Sequence, residues 1–564
     1  KSQEPNRPMT VHPSLARQNA KFEPSIRTVA GRYHVAYGFS PSNCTLIEGD
    51  DGCVLVDTLP TVEFAEPVAE GFREITDKPI RAVVYTHVHP DHISGIKAFV
   101  SEEDVRSGAV EIIALDELTD HLARDSGLLA PVLARRAMYT FGFQLPRDES
   151  GNVGSGLGPP NIPGRRSFIA PTRTFAGRGE IEVAGIRLSL IHLPSETDDQ
   201  VVVWSEDDRV LLSADVIQGE TFPNIYALRG TGFRNPMVWV RAIDRLRGLR
   251  PETLIPHHGR PVGGAAAVDG VLTAYRDAIQ HLHDQTVRWI NKGAAPDQLA
   301  GLVEMPPHLA GHEWLGEFYG SYKHSAPAIY AGYVGWFDGD PAKLDPPPRQ
   351  DRAARYVALM GGRDALLGAA GKALDDGDAQ WCAELAGWLV AADTGDGEAR
   401  ALRADALRRW GLAQANTNWR NWALTAALEL EDRLKPPRGL PFGHPDTVRT
   451  FPMARMLETM TVRLRAEAAL DTHLTVAFET ADTDEACALE IRRGVCQFHA
   501  DPPERADIRL RFSRAFLEST VTGGADFPAG VAVGDVAADG DTAGIEAFFA
   551  LFETPSLDMP IVAR

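Results

Sequence analysis

Ala82-Val83-Val84-Tyr85-Thr86-His87-Val88-His89-Pro90-Asp91-His92 decides the reading of this chain. The apolar run Ala82–Tyr85 predicts a buried strand. The ligand-type residues follow directly, so they sit on a tight loop at a strand's C-terminal end, where α/β folds build their sites. His87 and His89 alternate along an extended backbone and so point the same way. Asp91 and His92 lie past the turn and face a second point nearby. Imidazole and carboxylate suit zinc, at roughly 2.0–2.2 Å per bond. Crowded this closely, these groups compete for protons unless a cation lies among them.

Four contiguous ligands cannot close two coordination spheres, so the others must come from later strand ends. Glu196 follows the strand ending at His192. Asp215 follows Leu212-Ser213-Ala214, and the pair His257-His258 follows Thr253-Leu254-Ile255-Pro256. Nine residues past Asp215, Asn224-Ile225-Tyr226-Ala227-Leu228-Arg229-Gly230 begins, offering an arginine and a neutral donor to an anionic group.

The 564 residues predict several domains with ample core. Hydrophobic residues make up 44 % and charged residues 24 %, as in ordinary globular proteins. A formal charge of −20 argues against nucleic-acid binding, which needs a basic face. Cys44, Cys53, Cys382, Cys487 and Cys496 are scattered, without C-x-x-C, so neither a disulfide framework nor a thiolate zinc site is indicated. No apolar run reaches the ~18 residues of a membrane span. The sequence opens at Lys1 without methionine or a signal-type apolar segment, as expected of a cleaved leader or a trimmed start.

Residues 1–27 read as an extended polar arm. Strands follow at 33–36, 43–48 and 53–57, with Gly49-Asp50-Asp51-Gly52 as the turn between the last two, then a helix over 63–75. Residues 116–145 are helical in pattern. The Gly- and Pro-rich stretch 146–171 predicts a loop beside the site. Strands resume over 181–213 and at 253–256, and helices at 268–292 and 297–303. Residues 350–430 predict stacked helical hairpins, and Pro436, Pro437 and Pro441 a linker. Beyond it the spacing predicts a helix over 451–468, alternating strands up to Phe512 and two closing helices: a small α+β domain with an antiparallel sheet.

T-H-x-H-x-D-H resembles the metal motif of the metallo-β-lactamase fold. Asn224 with Leu228-Arg229-Gly230, the glycines of 151–158, Tyr319-Gly320 and Ile329–Gly339 are similar to the zinc-dependent alkylsulfatases of that fold. This resemblance implies an αββα catalytic sandwich over 1–310, an all-α helical dimerisation domain over 311–435, and a C-terminal α+β domain similar to sterol carrier protein 2 over 436–564. It implies two Zn2+ per chain: one on His87, His89 and Glu196, the other on Asp91, His92 and His258, with Asp215 between them. His258 is preferred to His257 because the stretch lines up with the fold's P-G-H-G ending. Asn224 and Arg229 are expected to hold the sulfate, Asp91 to share in catalysis, and Tyr330 to touch substrate.

The implied reaction is hydrolysis of a small amphipathic sulfate ester by metal-activated water. A lactonase or phosphoesterase of the same fold, or a lipid- or surfactant-binding protein, are the alternatives. A homodimer is expected, in the periplasm or outside the cell, with the cytoplasm as the alternative. Three positions depart from the family: Asp215 where glutamate is usual, His257-His258-Gly259-Arg260-Pro261 in place of H-H-W-P, and Arg234 after Phe233.

Overall fold

Alternation along the strands assigns each side chain to one of two cores. Val54 and Val56 face inward, whereas Cys53 and Leu55 face outward toward a helix. The computed structural model describes residues 11–125, 127–435, 444–554 and 556–564. Its first sheet runs, in spatial order, Ser25–Val29, Tyr33–Tyr37, Cys44–Glu48, Cys53–Val56, Ile80–Val84, Glu111–Leu115 and Arg173–Phe175. The first four are an antiparallel meander, and the rest add in parallel. The second sheet runs Val262–Gly263, Thr253–Pro256, Val210–Ala214, Val201–Ser205, Ile186–His192 and Arg178–Val183.

The two sheets pack face to face through Val35, Val54, Val84 and Ile113 on one side and Leu188, Leu190, Val203 and Leu212 on the other. Helix Val62–Ile75 covers the outside of the first sheet with Val68 and Phe72. Helices Pro236–Leu249 and Ala265–Ile290 cover the second with Trp239, Ile243, Leu272 and Tyr275. The result is the expected αββα sandwich. Truncating one of these fully buried leucines to alanine costs about 2–5 kcal/mol.

Helix Tyr322–Val334 packs on Ala265–Ile290 and Pro296–Leu302. Helices Arg349–Leu359, Arg363–Asp375, Ala379–Ala392, Gly397–Leu412 and Thr417–Leu430 then form the expected hairpin stack. Asp378, Asp396 and Asn416 cap three of them by accepting from backbone N–H groups of the first turn.

Several expectations need correction. Within the arm, residues 11–27 are not extended throughout: Pro13–Asn19 is a helix, Ser25 begins a sheet strand, and Gln18 Nε2 donates to the carbonyls of Gly156 and Glu220 at 3.1 and 2.9 Å. Residues 1–10, and the linker prolines Pro436, Pro437 and Pro441, lie outside the described residues. The single helix expected over 451–468 is one short helix, Met453–Glu458, and two 3-10 turns, because Leu464 breaks away to bridge Phe552. The C-terminal sheet is mixed rather than antiparallel, since His473–Thr480 and Ile508–Phe512 pair in parallel. Helix Phe527–Val533 and strand Ala537–Gly540 were not legible in the pattern. The five cysteines are free, and no described helix is long and apolar enough to cross a membrane.

Candidate metal centre

One edge of the sandwich collects the C-terminal ends of five strands. Asp57 follows Cys53–Val56, His87 follows Ile80–Val84, Glu196 follows Ile186–His192, Asp215 follows Val210–Ala214, and His257 and His258 follow Thr253–Pro256. Asp57 and Ala214 hold left-handed backbone, φ 60° and 46°. Ala214 sits where the ladder to Thr253–Pro256 slips register, and that kink turns Asp215 out of the strand. Asp91 and His92 lie in the first turn of a short helix, Pro90–Ile93, rather than in open loop.

Ligand-type atoms converge in two groups, His87, His89, Glu196 and Asp215, and Asp91, His92 and His258, each within 4.8 Å. Asp215 joins them. Its Oδ2 lies 3.9 Å from His87 Nε2, 3.6 Å from His92 Nε2 and 3.1 Å from His258 Nε2. Glu196 Oε2 lies 3.7 Å from His89 Nδ1. His258 Nε2 reaches Asp91 at 3.6 Å.

The far nitrogens of His87, His92 and His258 are held by the scaffold. Thr86 Oγ1 and Gln200 Nε2 contact His87 Nδ1 at 3.0 and 3.2 Å. Asp57 holds His92 Nδ1 at 2.7 Å, and the Pro41 carbonyl holds His258 Nδ1 at 2.6 Å. Such partners set the tautomer and aim of a ligating imidazole. Asp57, His92 and His257 form a third group, but its converging atoms, the two Nδ1 and the carboxylate, already pair with one another, and His257 Nε2 is buried without a partner. The Asp57 carboxylate contacts His257 Nδ1 at 2.5 Å and accepts from Thr86 N and Oγ1. His257 therefore stands behind the cluster with Asp57, and His258 faces it.

The donors fit a cation. His92 Nε2, Glu196 Oε2 and Asp215 Oδ1 are buried without a hydrogen-bond partner, which a native interior rarely tolerates. Proton demand is in conflict there too. Burial, then His92, hold the His87 imidazole down at about 3. Burial, then Asp215, push the Glu196 carboxyl up. Burial opposes the His92 cation, yet Asp215 and Asp91 raise it well above the usual range. Divalent metal resolves such competition by displacing the protons.

Beside the cluster, Arg229 Nη2 lies 3.2 Å from His89 Nε2. Asn224 is fully buried, with both side-chain amide atoms unpartnered. Its backbone is fixed by Gln218 Oε1, which accepts from Asn224 N at 2.8 Å, and by Arg234 Nη1, which donates to its carbonyl at 2.6 Å. Arg234 Nη2 also pairs with Glu196 Oε1 at 2.9 Å. Tyr330, expected to touch substrate, packs in the core over the second sheet, and its hydroxyl donates to the Phe337 carbonyl at 3.3 Å. The tyrosine in the field of Glu196, Arg234, Arg229 and Asp91 is Tyr319. Asp57, Arg234 and Tyr319 were in view in the sequence only as a strand end, a departure from the family pattern and a motif fragment.

Family models match three consecutive parts of the chain: the metallo-beta-lactamase superfamily over residues 37–258, alkyl sulfatase dimerisation over 295–433 and alkyl sulfatase C-terminal over 441–564. A linear primary-alkylsulfatase of Pseudomonas sp. (strain ATCC 19151) is 43 % identical over 92 % of this chain and all of its own length. An (R)-specific secondary-alkylsulfatase of Pseudomonas sp. is 31 % identical over 98 % of this chain and 84 % of its own. The solved structure of the stereoselective inverting sec-alkylsulfatase Pisa1 from Pseudomonas sp. superposes with a TM-score of 0.90 at 31 % identity, covering 98 % of this chain and 88 % of that one.

Proposed function

The chain belongs to the alkylsulfatases of the metallo-β-lactamase superfamily, and from that premise we propose that it hydrolyses alkyl sulfate esters to an alcohol and inorganic sulfate. The observation that carries the reading is an anion-binding pair, Arg229 and the unpartnered Asn224 amide, beside a ligand set for two metals. His87, His89 and Glu196 would hold one zinc ion and Asp91, His92 and His258 the other, with Asp215 between them. When bound, two zinc ions supply Lewis acidity that brings the pKa of water toward ~7, and counter-charge for an anion.

The chain's own groups do the rest. Arg229 offers parallel N–H donors to two sulfate oxygens, a geometry lysine lacks. Asn224 adds a neutral donor. Arg234 balances the negative charge of Glu196. Asp57 fixes the His92 ring through Nδ1. The alkyl tail would lie along apolar side chains next to Arg229: Leu133, which meets Gly230, and the exposed Leu129 and Phe233.

The same reading extends to the other domains. The helical domain would pair two copies of the chain, and Leu359, 83 % exposed at the end of helix Arg349–Leu359, is suited to that contact. The C-terminal domain would be similar to sterol carrier protein 2. A layer of Phe478, Phe512, Phe516, Phe527 and Phe549 against its mixed sheet supports an apolar interior of that kind.

The test is inorganic sulfate released from a medium-chain alkyl sulfate by zinc-replete and chelator-stripped protein. Zinc-dependent release supports the proposal. Absence of release from primary and secondary esters by protein holding two metals would sink it, and lactones and phosphate esters would be tried next.

A further inference from the structure

Helix Thr417–Leu430 belongs to the region matched by the dimerisation model, yet its first turns are polar and buried. Asn416, Thr417, Asn418, Arg420 and Asn421 are each at most 5 % exposed. Buried polar side chains need partners, and here those partners are mostly carbonyls of two segments far away in sequence, 317–320 and the Gly-rich loop of the catalytic domain.

Asn416 Nδ2 donates to the carbonyls of Glu317, Tyr319 and Gly320 at 3.0, 3.1 and 3.1 Å. Asn418 Nδ2 donates to the Tyr319 carbonyl at 2.9 Å. Thr417 Oγ1 donates to the carbonyls of Ser155 and Phe318 at 2.9 and 3.0 Å. Arg420 Nε and Nη2 donate to the carbonyls of Gly151 and Glu149 at 3.0 and 2.7 Å. These contacts fall on two irregular segments, 149–155 of the Gly-rich loop and 317–320.

The 317–320 segment packs against the stretch that leads to Asn224. Tyr319 N donates to Thr221 Oγ1 at 3.1 Å, and Gly320 N to the Phe222 carbonyl at 3.1 Å. A Cβ on Gly320 would sit 2.0 Å from the carbonyl oxygen of Pro223, the residue before Asn224. The two segments also touch. Gly156 holds φ +83°, and a Cβ there would sit 2.5 Å from the Phe318 carbonyl oxygen. The Tyr319 side chain is half-buried and crowded by protein. That desolvation, then Glu196, push its phenol up to about 12 against the pull of Arg234 and Arg229.

We propose that Asn416, Thr417, Asn418 and Arg420 are positioning residues of the active site, holding Tyr319 and the 149–155 loop in place beside it, so that the helical domain braces the candidate site. The role assigned to Tyr319 in turnover rests on the alkylsulfatase reading; the clamp itself does not. A displacement of about 1 Å at a site can cost on the order of 100-fold in rate, and Asn416, Thr417 and Asn418 fix the carbonyls of Tyr319 and its two neighbours.

The test uses full-length, zinc-loaded protein. Asn418→Asp keeps size but turns the donor facing the Tyr319 carbonyl into an acceptor. We expect kcat on the alkyl sulfate to fall about 10- to 100-fold, with zinc content and oligomeric state unchanged. In a cycle with Tyr319→Phe the two losses should not multiply, because Asn418 acts through Tyr319. Losses that multiply would overturn the proposal. A second readout needs no ester and covers poor folding of Asn418→Asp. In Arg420→Lys, amide exchange should quicken at 149–156 and 317–320 and stay unchanged in both sheets. Unchanged exchange there would overturn the clamp. Absence of sulfate release from wild type would count against the substrate reading alone.

Discussion

Arg234 pairs with Glu196 across 2.9 Å, and the two side chains are only 4 % and 3 % exposed. The same guanidinium donates to the Asn224 carbonyl. One cation therefore touches both a candidate metal ligand and the segment expected to bind sulfate. Glutamate brings a negative charge where a histidine ligand is neutral, and that charge would repel an anionic ester. Arg234 cancels it.

Arg234→Met leaves the Glu196 carboxylate buried without its counter-charge, and breaking a buried pair on one side costs about 3–5 kcal/mol. We expect metal affinity or activity to fall roughly 10- to 100-fold. Metal analysis after dialysis, with sulfate release alongside, checks it. Full metal content and full rate in Arg234→Met would remove the counter-charge role.

Asp57 carries no part of the ester, yet it aims His92 and braces His257. Asp57→Ala should weaken zinc retention about 10- to 100-fold, measured by competition with a chelator. His257→Asn should cost less, because His258 alone of the pair contacts Asp215 and Asp91. The reverse ranking would show that His257 is the ligand.

Arg229→Ala removes charged hydrogen bonds worth about 1.5–3 kcal/mol each, so kcat/KM should drop at least about 10-fold. Arg229→Lys should recover only part, since an ammonium cannot present parallel donors. Steady-state kinetics on one alkyl sulfate decides between this and equal recovery by lysine.

Asp208 ties the two sheets far from the metals, accepting from Tyr33 Oη at 2.6 Å and Arg32 Nε at 2.9 Å. Burial pulls its carboxyl up, but the Tyr33 and Arg32 hydrogen bonds outweigh this and hold it below the usual range. A depressed folded-state value means that the stabilisation is present above the unfolded value of about 4 and is lost as pH falls through the folded one. Asp208→Asn should lower Tm at pH 7, by about 1–3 kcal/mol of stability, and the gap should close as the pH drops below about 4. A gap independent of pH would assign the loss to packing.

The contiguous ligands were legible because their spacing is local: two extended positions and one turn put four ligand types together. Glu196, Asp215 and the histidine pair were legible as strand ends, since apolar runs show where strands stop. Arg234 was not, because its partner lies on another loop and an arginine in sequence carries no mark of burial. Tyr330 was expected at the substrate in place of Tyr319, because both stand in aromatic stretches, and only packing turns one to the core and leaves the other near Glu196 and Arg234. The helix expected over 451–468 failed because Leu464 takes a long-range β-bridge that no helical period encodes.

The sequence by itself determined the strands from Tyr33 to the metal motif, the helical stack and the set of ligand types, and the sandwich through its resemblance to a known fold. Hydrophobic periodicity, turn residues and short spacings act over a few residues and survive without a tertiary context. Only the tertiary structure decided which histidine of the pair faces the carboxylates, which arginine balances Glu196, and that a helix more than 400 residues into the chain bonds to the 149–155 and 317–320 segments. Each depends on a buried polar group finding a partner far away in sequence: the Pro41 carbonyl for His258, Glu196 for Arg234, the Tyr319 carbonyl for Asn418. Burial makes those partners obligatory, and burial exists only once the chain has folded.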